Sequence, residues 1–154
     1  MSPTGRVLLF KGRGFLSQII RWQSRSRYSH AAIQLRDGSV IEAWQFKGVH
    51  MKYIRDWRHI EAYDITHATG AQWHKIEEFA KSQLGKPYDY RGVFSFITRS
   101  RPTDNSRWFC SELVFAAADH AGIHLLERTS PGYVSPGVLA LSPRLVRSIP
   151  LNRT

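Results

Sequence analysis

"YSHAAIQLRDGSVIEAW", Tyr28 to Trp44, is the stretch that decides the fold. Two β-prone runs flank Asp37-Gly38, a strong hairpin signal. What the hairpin brings together depends on its turn. A two-residue Asp37-Gly38 loop pairs Arg36 with Ser39, and Glu42 then faces away from His30. A three-residue loop, Arg36-Asp37-Gly38 with Gly38 left-handed, pairs Leu35 with Ser39. His30 then lies opposite Trp44, and Glu42 becomes its diagonal neighbour on the same face, within reach of long side chains. The three-residue turn is the expected one. It gives a histidine on a rigid strand, with small neighbours Ala31 and Ala32, and a carboxylate to orient it.

Working outward, "VLLF" (Val7 to Phe10) reads as a short buried strand, and "GRG" (Gly12 to Gly14) as a turn. That tripeptide has too few glycines for a phosphate-binding fingerprint. "FLSQIIRWQ" (Phe15 to Gln23) has helical spacing. "GVHMKYIRDW" and "HIEAYDIT" read as further strands. "TGAQWHKIEEFAKSQLG" reads as a helix capped by Thr69, with Trp73, Ile76, Phe79 and Leu84 as its apolar stripe and Gly85 and Pro87 as its stop. A last helix is expected from about Cys110 to Ala121, with Gly122 ending it. The tail "VSPGVLALSPRLVRSIP" is broken by prolines and expected to wrap the surface.

Cys110 is the only cysteine. It sits where "NSRWFCSELVFAAADHAG" (Asn105 to Gly122) passes from loop to helix. Free backbone N–H groups and the helix dipole favour a thiolate there, and the Cys110 N–H can serve an oxyanion hole. A nucleophilic cysteine also needs a base and a group to orient that base. His30 and Glu42 supply both. His50, His59, His67 and His74 keep no metal-ligand spacing. His120 and His124 are separated by the helix-ending Gly122, so no zinc pattern emerges.

At this point "YSHAAIQL…GSVIEAW", followed late by "GKPYDYRGVF…WFCSELVFAA", resembles the permuted branch of the papain-like cell-wall peptidases related to NlpC. It resembles the lecithin retinol acyltransferase group more distantly. The histidine hairpin precedes the cysteine helix, the reverse of the ordinary papain-like order, and the resemblance runs from about Val7 to Leu139. It implies an α+β, circularly permuted papain-like fold, with an antiparallel sheet or small barrel packed against helices in one domain spanning 1–154. It implies Cys110 as nucleophile, His30 as general base and Glu42 as its orienting group. "GKPYDYRG" matches the family's Pro-Tyr-x-x-Gly segment, which makes Tyr88 a candidate binding residue, along with Tyr28 and Ser29 beside His30. The plainer alternative makes Tyr88 and Tyr90 core aromatics. Two departures stand out: Glu112 replaces the glycine that often follows Cys-Ser, and the Tyr88-to-Cys110 interval is long. The implied chemistry is acyl transfer through an acyl-enzyme on an amide, ester or thioester, with no metal or organic cofactor required.

Composition bounds the rest. A chain of 154 residues with 42% apolar content suits a single core. One cysteine excludes an internal disulfide. With no signal peptide or apolar membrane span, a soluble cytoplasmic protein is expected, unless another route exports it. The net charge of +10 favours an anionic partner such as an acidic wall polymer or lipid surface, or is simply a solvated basic face. Trp22, Tyr28, Trp57 and Trp108 beside arginines raise nucleic-acid binding as a competing, non-enzymatic class. The absence of any recognised motif or dense basic tract speaks against it. A papain-like scaffold that has lost catalysis is a third reading, and an intact Cys110, His30 and Glu42 set weighs against it.

Overall fold

The computed structural model describes residues 4–12, 18, 21, 25–90, 106–129 and 134–148. Its strands are β1 (Arg6–Phe10), β2 (His30–Gln34), β3 (Val40–Trp44), β4 (Gly48–Lys52), β5 (Ile60–Ile65) and β6 (Leu145–Arg147). Its helices are α1 (Gly70–Ser82), α2 (Cys110–His120) and the single turn α3 (Pro136–Leu139). The strands form one antiparallel sheet in the order β4-β3-β2-β1-β5-β6. The expected α+β architecture is therefore present, with the histidine hairpin early and the cysteine helix late.

Strand alternation gives the sheet two faces. Val7, Leu9, Ala31, Ile33, Ile41 and Ala43 join Trp73, Ile76, Leu113 and Ala117 of the helices in the main core. Leu8, Ala32 and Val40 belong to a smaller cluster with Phe10, Trp57 and Ile60. His30 and Glu42 share the parity of Ala32 and Val40.

The hairpin has the three-residue turn. Ile33 pairs with Ile41 and Gln34 with Val40. The Leu35 N–H donates to the Ser39 carbonyl at 2.8 Å, and Gly38 is left-handed at φ 89°. The Asp37 carboxylate accepts from the Ser39 N–H at 2.9 Å and its hydroxyl at 2.6 Å, which fixes the loop.

Helix α1 begins at the Thr69 cap, whose hydroxyl accepts from the Gln72 N–H while the Gln72 side chain accepts from the Thr69 N–H. The Thr69 cap is the expected one, and Gln72 completes it as a capping box. Leu84 is a correction: the helix ends at Ser82, and Leu84 lies beyond it, 40% exposed. The left-handed Gly85 (φ 87°) turns the chain back, and its N–H donates to the Val49 carbonyl on β4 at 2.9 Å. The tail is a second correction. It contributes α3 and the edge strand β6, and Val134 and Leu139 are buried in the core; apolar side chains at those positions outweigh the prolines. The helix expected over Phe15 to Gln23 lies outside the described residues save Gln18 and Arg21. So do the Gly12-to-Gly14 turn beyond Gly12, and the loop Ile97 to Ser106 save Ser106.

Candidate active site

Cys110 is the first residue of α2 and is buried, 1% exposed. Phe109 before it is extended, and its N–H is capped by the Glu112 carboxylate at 3.4 Å. The glutamate that departs from the family's usual glycine thus closes the helix start, where a negative charge also suits the dipole. Ser111, fully buried, donates to the Val134 carbonyl at 2.5 Å. Helix α2 ends as expected: Gly122 is left-handed, the Gly122 N–H donates to the Asp119 carbonyl and the Ile123 N–H to that of Ala118, a Schellman-type close. The start and end of α2 are both pinned, which fixes where Cys110 is presented.

His30 opens β2. Its Nε2 lies 2.7 Å from Glu42 Oε2, and the Cys110 thiol is its other electrostatic partner. Nε2 is taken by the carboxylate, so Nδ1 is the nitrogen left for sulfur. The ring is gripped edge-on by Phe10, centroids 4.9 Å apart, and Trp44, 4.7 Å apart. Such packing restricts the imidazole to one plane. Burial works against a charged His30, but the charge and hydrogen bond of Cys110, followed by those of Glu42, outweigh it and hold the imidazole up to about 9.

Glu42 is 1% exposed. Burial alone would raise its pKa. The hydrogen bond and charge of His30, followed by those of Lys52, bring it down to about 2. Lys52 Nζ lies 2.5 Å and His50 Nε2 3.3 Å from Glu42 Oε1. Lys52 also sits over the rings of Phe10 and Trp44, at 5.7 and 5.5 Å. The buried carboxylate is therefore paired rather than orphaned. Phe10, Trp44, His50 and Lys52 surround His30 and Glu42, and the sequence reading did not single them out. The signal was present in β4: Glu42 pairs with His50 and Val40 with Lys52, so a strand alternating His50 and Lys52 against β3 flanks Glu42.

Tyr88 is 6% exposed and bridges in parallel to Trp108. Its ring lies 5.9 Å from that of Phe109 and 5.0 Å from that of Tyr90, one residue away from Cys110. Tyr28 and Ser29 adjoin His30 in the chain, but their hydroxyls are used internally. Tyr28 donates to Glu61 and bonds Tyr63, and Glu61 also binds Lys11, Arg27 and Arg147. Ser29 Oγ accepts from the Gly12 N–H at 3.0 Å. Tyr28 also lines a cavity of about 420 Å³ with Arg25, Arg27, Tyr63 and Leu141. No group of three or more His, Cys, Asp or Glu suited to a metal ion occurs among the described residues. Nor is any described helix long and apolar enough to cross a membrane.

Comparison with known proteins gives the family and the fold. No curated protein matches the chain. A solved structure described as metalloprotein YiiX from Escherichia coli O157:H7 superposes with a TM-score of 0.69 at 22% identity, covering 95% of this chain and 96% of that one; it shares the fold. The model of the permuted papain-like amidases of the YaeF/YiiX type, the C92 peptidase family, matches residues 2–133. The chain belongs to that permuted papain-like amidase family.

Proposed function

We propose that this protein is a cysteine amidase that works through an acyl-enzyme, with Cys110 as nucleophile, His30 as general base and acid, and Glu42 as the group that orients and charges His30. The observation that carries this reading is the buried His30 imidazole, 2.7 Å from the Glu42 carboxylate and raised by the neighbouring Cys110. His30, held up to about 9, takes the Cys110 proton as the sulfur attacks. Attack on an amide carbonyl forms a C–S bond and an oxyanion. The Cys110 N–H at the helix start donates to that oxyanion, with Tyr88 as a neighbouring wall or second donor. His30 passes its proton to the leaving amine as the C–N bond breaks, leaving a thioester. Water, deprotonated by His30, then releases the acid and regenerates the thiol. Tyr28 and Ser29 steady the chain that leads into His30.

The net charge of +10 supports an anionic substrate, either an acidic wall peptide or a peptide–lipid conjugate. Lipid acyl hydrolysis or acyl transfer is the alternative within the same chemistry. The test uses 4-nitrophenyl acetate and a panel of peptide 4-nitroanilides. The expected result is a burst of about one equivalent of nitrophenolate per protein, abolished in Cys110→Ala, and turnover that falls at least ~10²-fold in His30→Ala. Turnover that survives Cys110→Ala contradicts the proposal.

A further inference from the structure

Phe46 lies in the turn between β3, which carries Glu42, and β4, and the Lys47 N–H closes that turn on the Trp44 carbonyl at 3.2 Å. Phe46 is 90% exposed. Its backbone is left-handed, at φ 65°, an outlier for a bulky side chain. Its conformation is nonetheless held, because the Tyr90 hydroxyl accepts from the Phe46 N–H at 2.8 Å and the two rings lie 6.2 Å apart. Strained residues that persist tend to cluster at ligand sites. A cavity of about 340 Å³ opens here, lined by Phe46, Lys47, Tyr88, Tyr90 and Arg107 among others. Tyr88 connects it to Phe109 and so to Cys110, and Trp44, two residues before Phe46, connects it to His30. Neither Lys47 nor Arg107 is ion-paired with a described residue.

We infer that this groove is the substrate-specificity site, and that it takes a short peptide segment with an apolar side chain next to a carboxylate. The apolar group lies against Phe46 and Tyr90, and the carboxylate meets Lys47 and Arg107. The volume is at the small end of ligand pockets, which run ~300–1,000 Å³. It suits about two residues rather than a long acyl chain. The inference deepens the amidase reading and rests on it for its meaning, but its test needs no chemistry.

Fluorescein-labelled Leu-Glu and Leu-Gln amides are titrated by anisotropy against the full chain carrying Cys110→Ser. The acidic peptide is expected to bind roughly five- to tenfold more tightly. Adding Lys47→Gln with Arg107→Gln should erase that preference. Adding Phe46→Ala should weaken both peptides about tenfold. Phe46→Gly, which the backbone accepts without strain, should weaken both likewise without lowering the thermal midpoint. Equal affinity for the two peptides overturns the inference. So does a preference that survives the charge changes, a Phe46→Gly protein that loses thermal stability, or binding to phosphatidylglycerol vesicles through Phe46 in place of the peptides. Failure of the amidase reading is seen separately, in the burst experiment above.

Discussion

Removing the partners of His30 one at a time tests the electrostatics of the site most closely. The imidazole is held up to about 9 against an ordinary histidine value of 6.5, which amounts to roughly 3 kcal/mol in favour of the imidazolium at ~1.4 kcal/mol per tenfold change. Burial opposes this charge. Of the groups that overcome it, Cys110 weighs more than Glu42. Cys110→Ser should therefore lower the His30 titration further than Glu42→Gln does. Each should bring it down by one to two pH units, roughly 1.5–3 kcal/mol of lost support. The assay is ring-nitrogen NMR across pH, with the His30 resonance identified by its loss in His30→Gln. Linkage gives a companion effect with a definite sign. A raised pKa contributes stability that is fully present below pH 6.5 and lost as pH rises through about 9. Urea midpoints of the wild type should therefore fall over that window, and fall less in Cys110→Ser. A His30 that titrates near 6.5 in the wild type, or that does not respond to Cys110→Ser, refutes the reasoning.

Two further changes probe the frame. Gly48 is left-handed at φ 69°, and a Cβ there would lie 2.4 Å from the Lys86 carbonyl oxygen; Gly48→Ala should cost roughly 2–4 kcal/mol in urea denaturation, and an unchanged midpoint would show that the β4 edge yields. Glu61 is buried under Lys11, Arg27 and Arg147, and its pKa, which burial would raise, is brought down to about 2 chiefly by hydrogen bonds from Lys11 and Tyr28. Arg27 and Arg147 are more than half exposed and can turn to water, so Glu61→Gln should cost only about 1–2 kcal/mol, measured as the loss of wild-type stability above pH 5 with little difference near pH 2.

The hairpin was legible because parity admits only two registers, and only the three-residue turn puts Glu42 on the face of His30. The start of the cysteine helix and the Gly122 stop were legible for similar local reasons. The surroundings of Glu42 were harder to see. His50 and Lys52 read as an ordinary alternating strand, and only the β3–β4 register turns them toward one carboxylate. Leu84 had the spacing of the helix stripe, but the helix had already ended at the Gln83 cap, ahead of the left-handed Gly85. The tail was misjudged because Pro136 sits in the first turn of α3, where proline is tolerated, and Pro143 sits in a turn. Phe46 gave no signal of its own: an exposed phenylalanine is unremarkable in a sequence, and its left-handed backbone is visible only in three dimensions.

With a single thiol in the chain, one measurement bears most directly on the pairing of Cys110 with His30. Intact-mass spectrometry follows iodoacetamide alkylation as a function of pH in the wild type and in His30→Ala. The account predicts that the wild type reacts quickly well below the free-thiol reference of ~8.5, and that His30→Ala moves the profile up toward that reference. An inert thiol, or identical profiles in the two proteins, contradicts it.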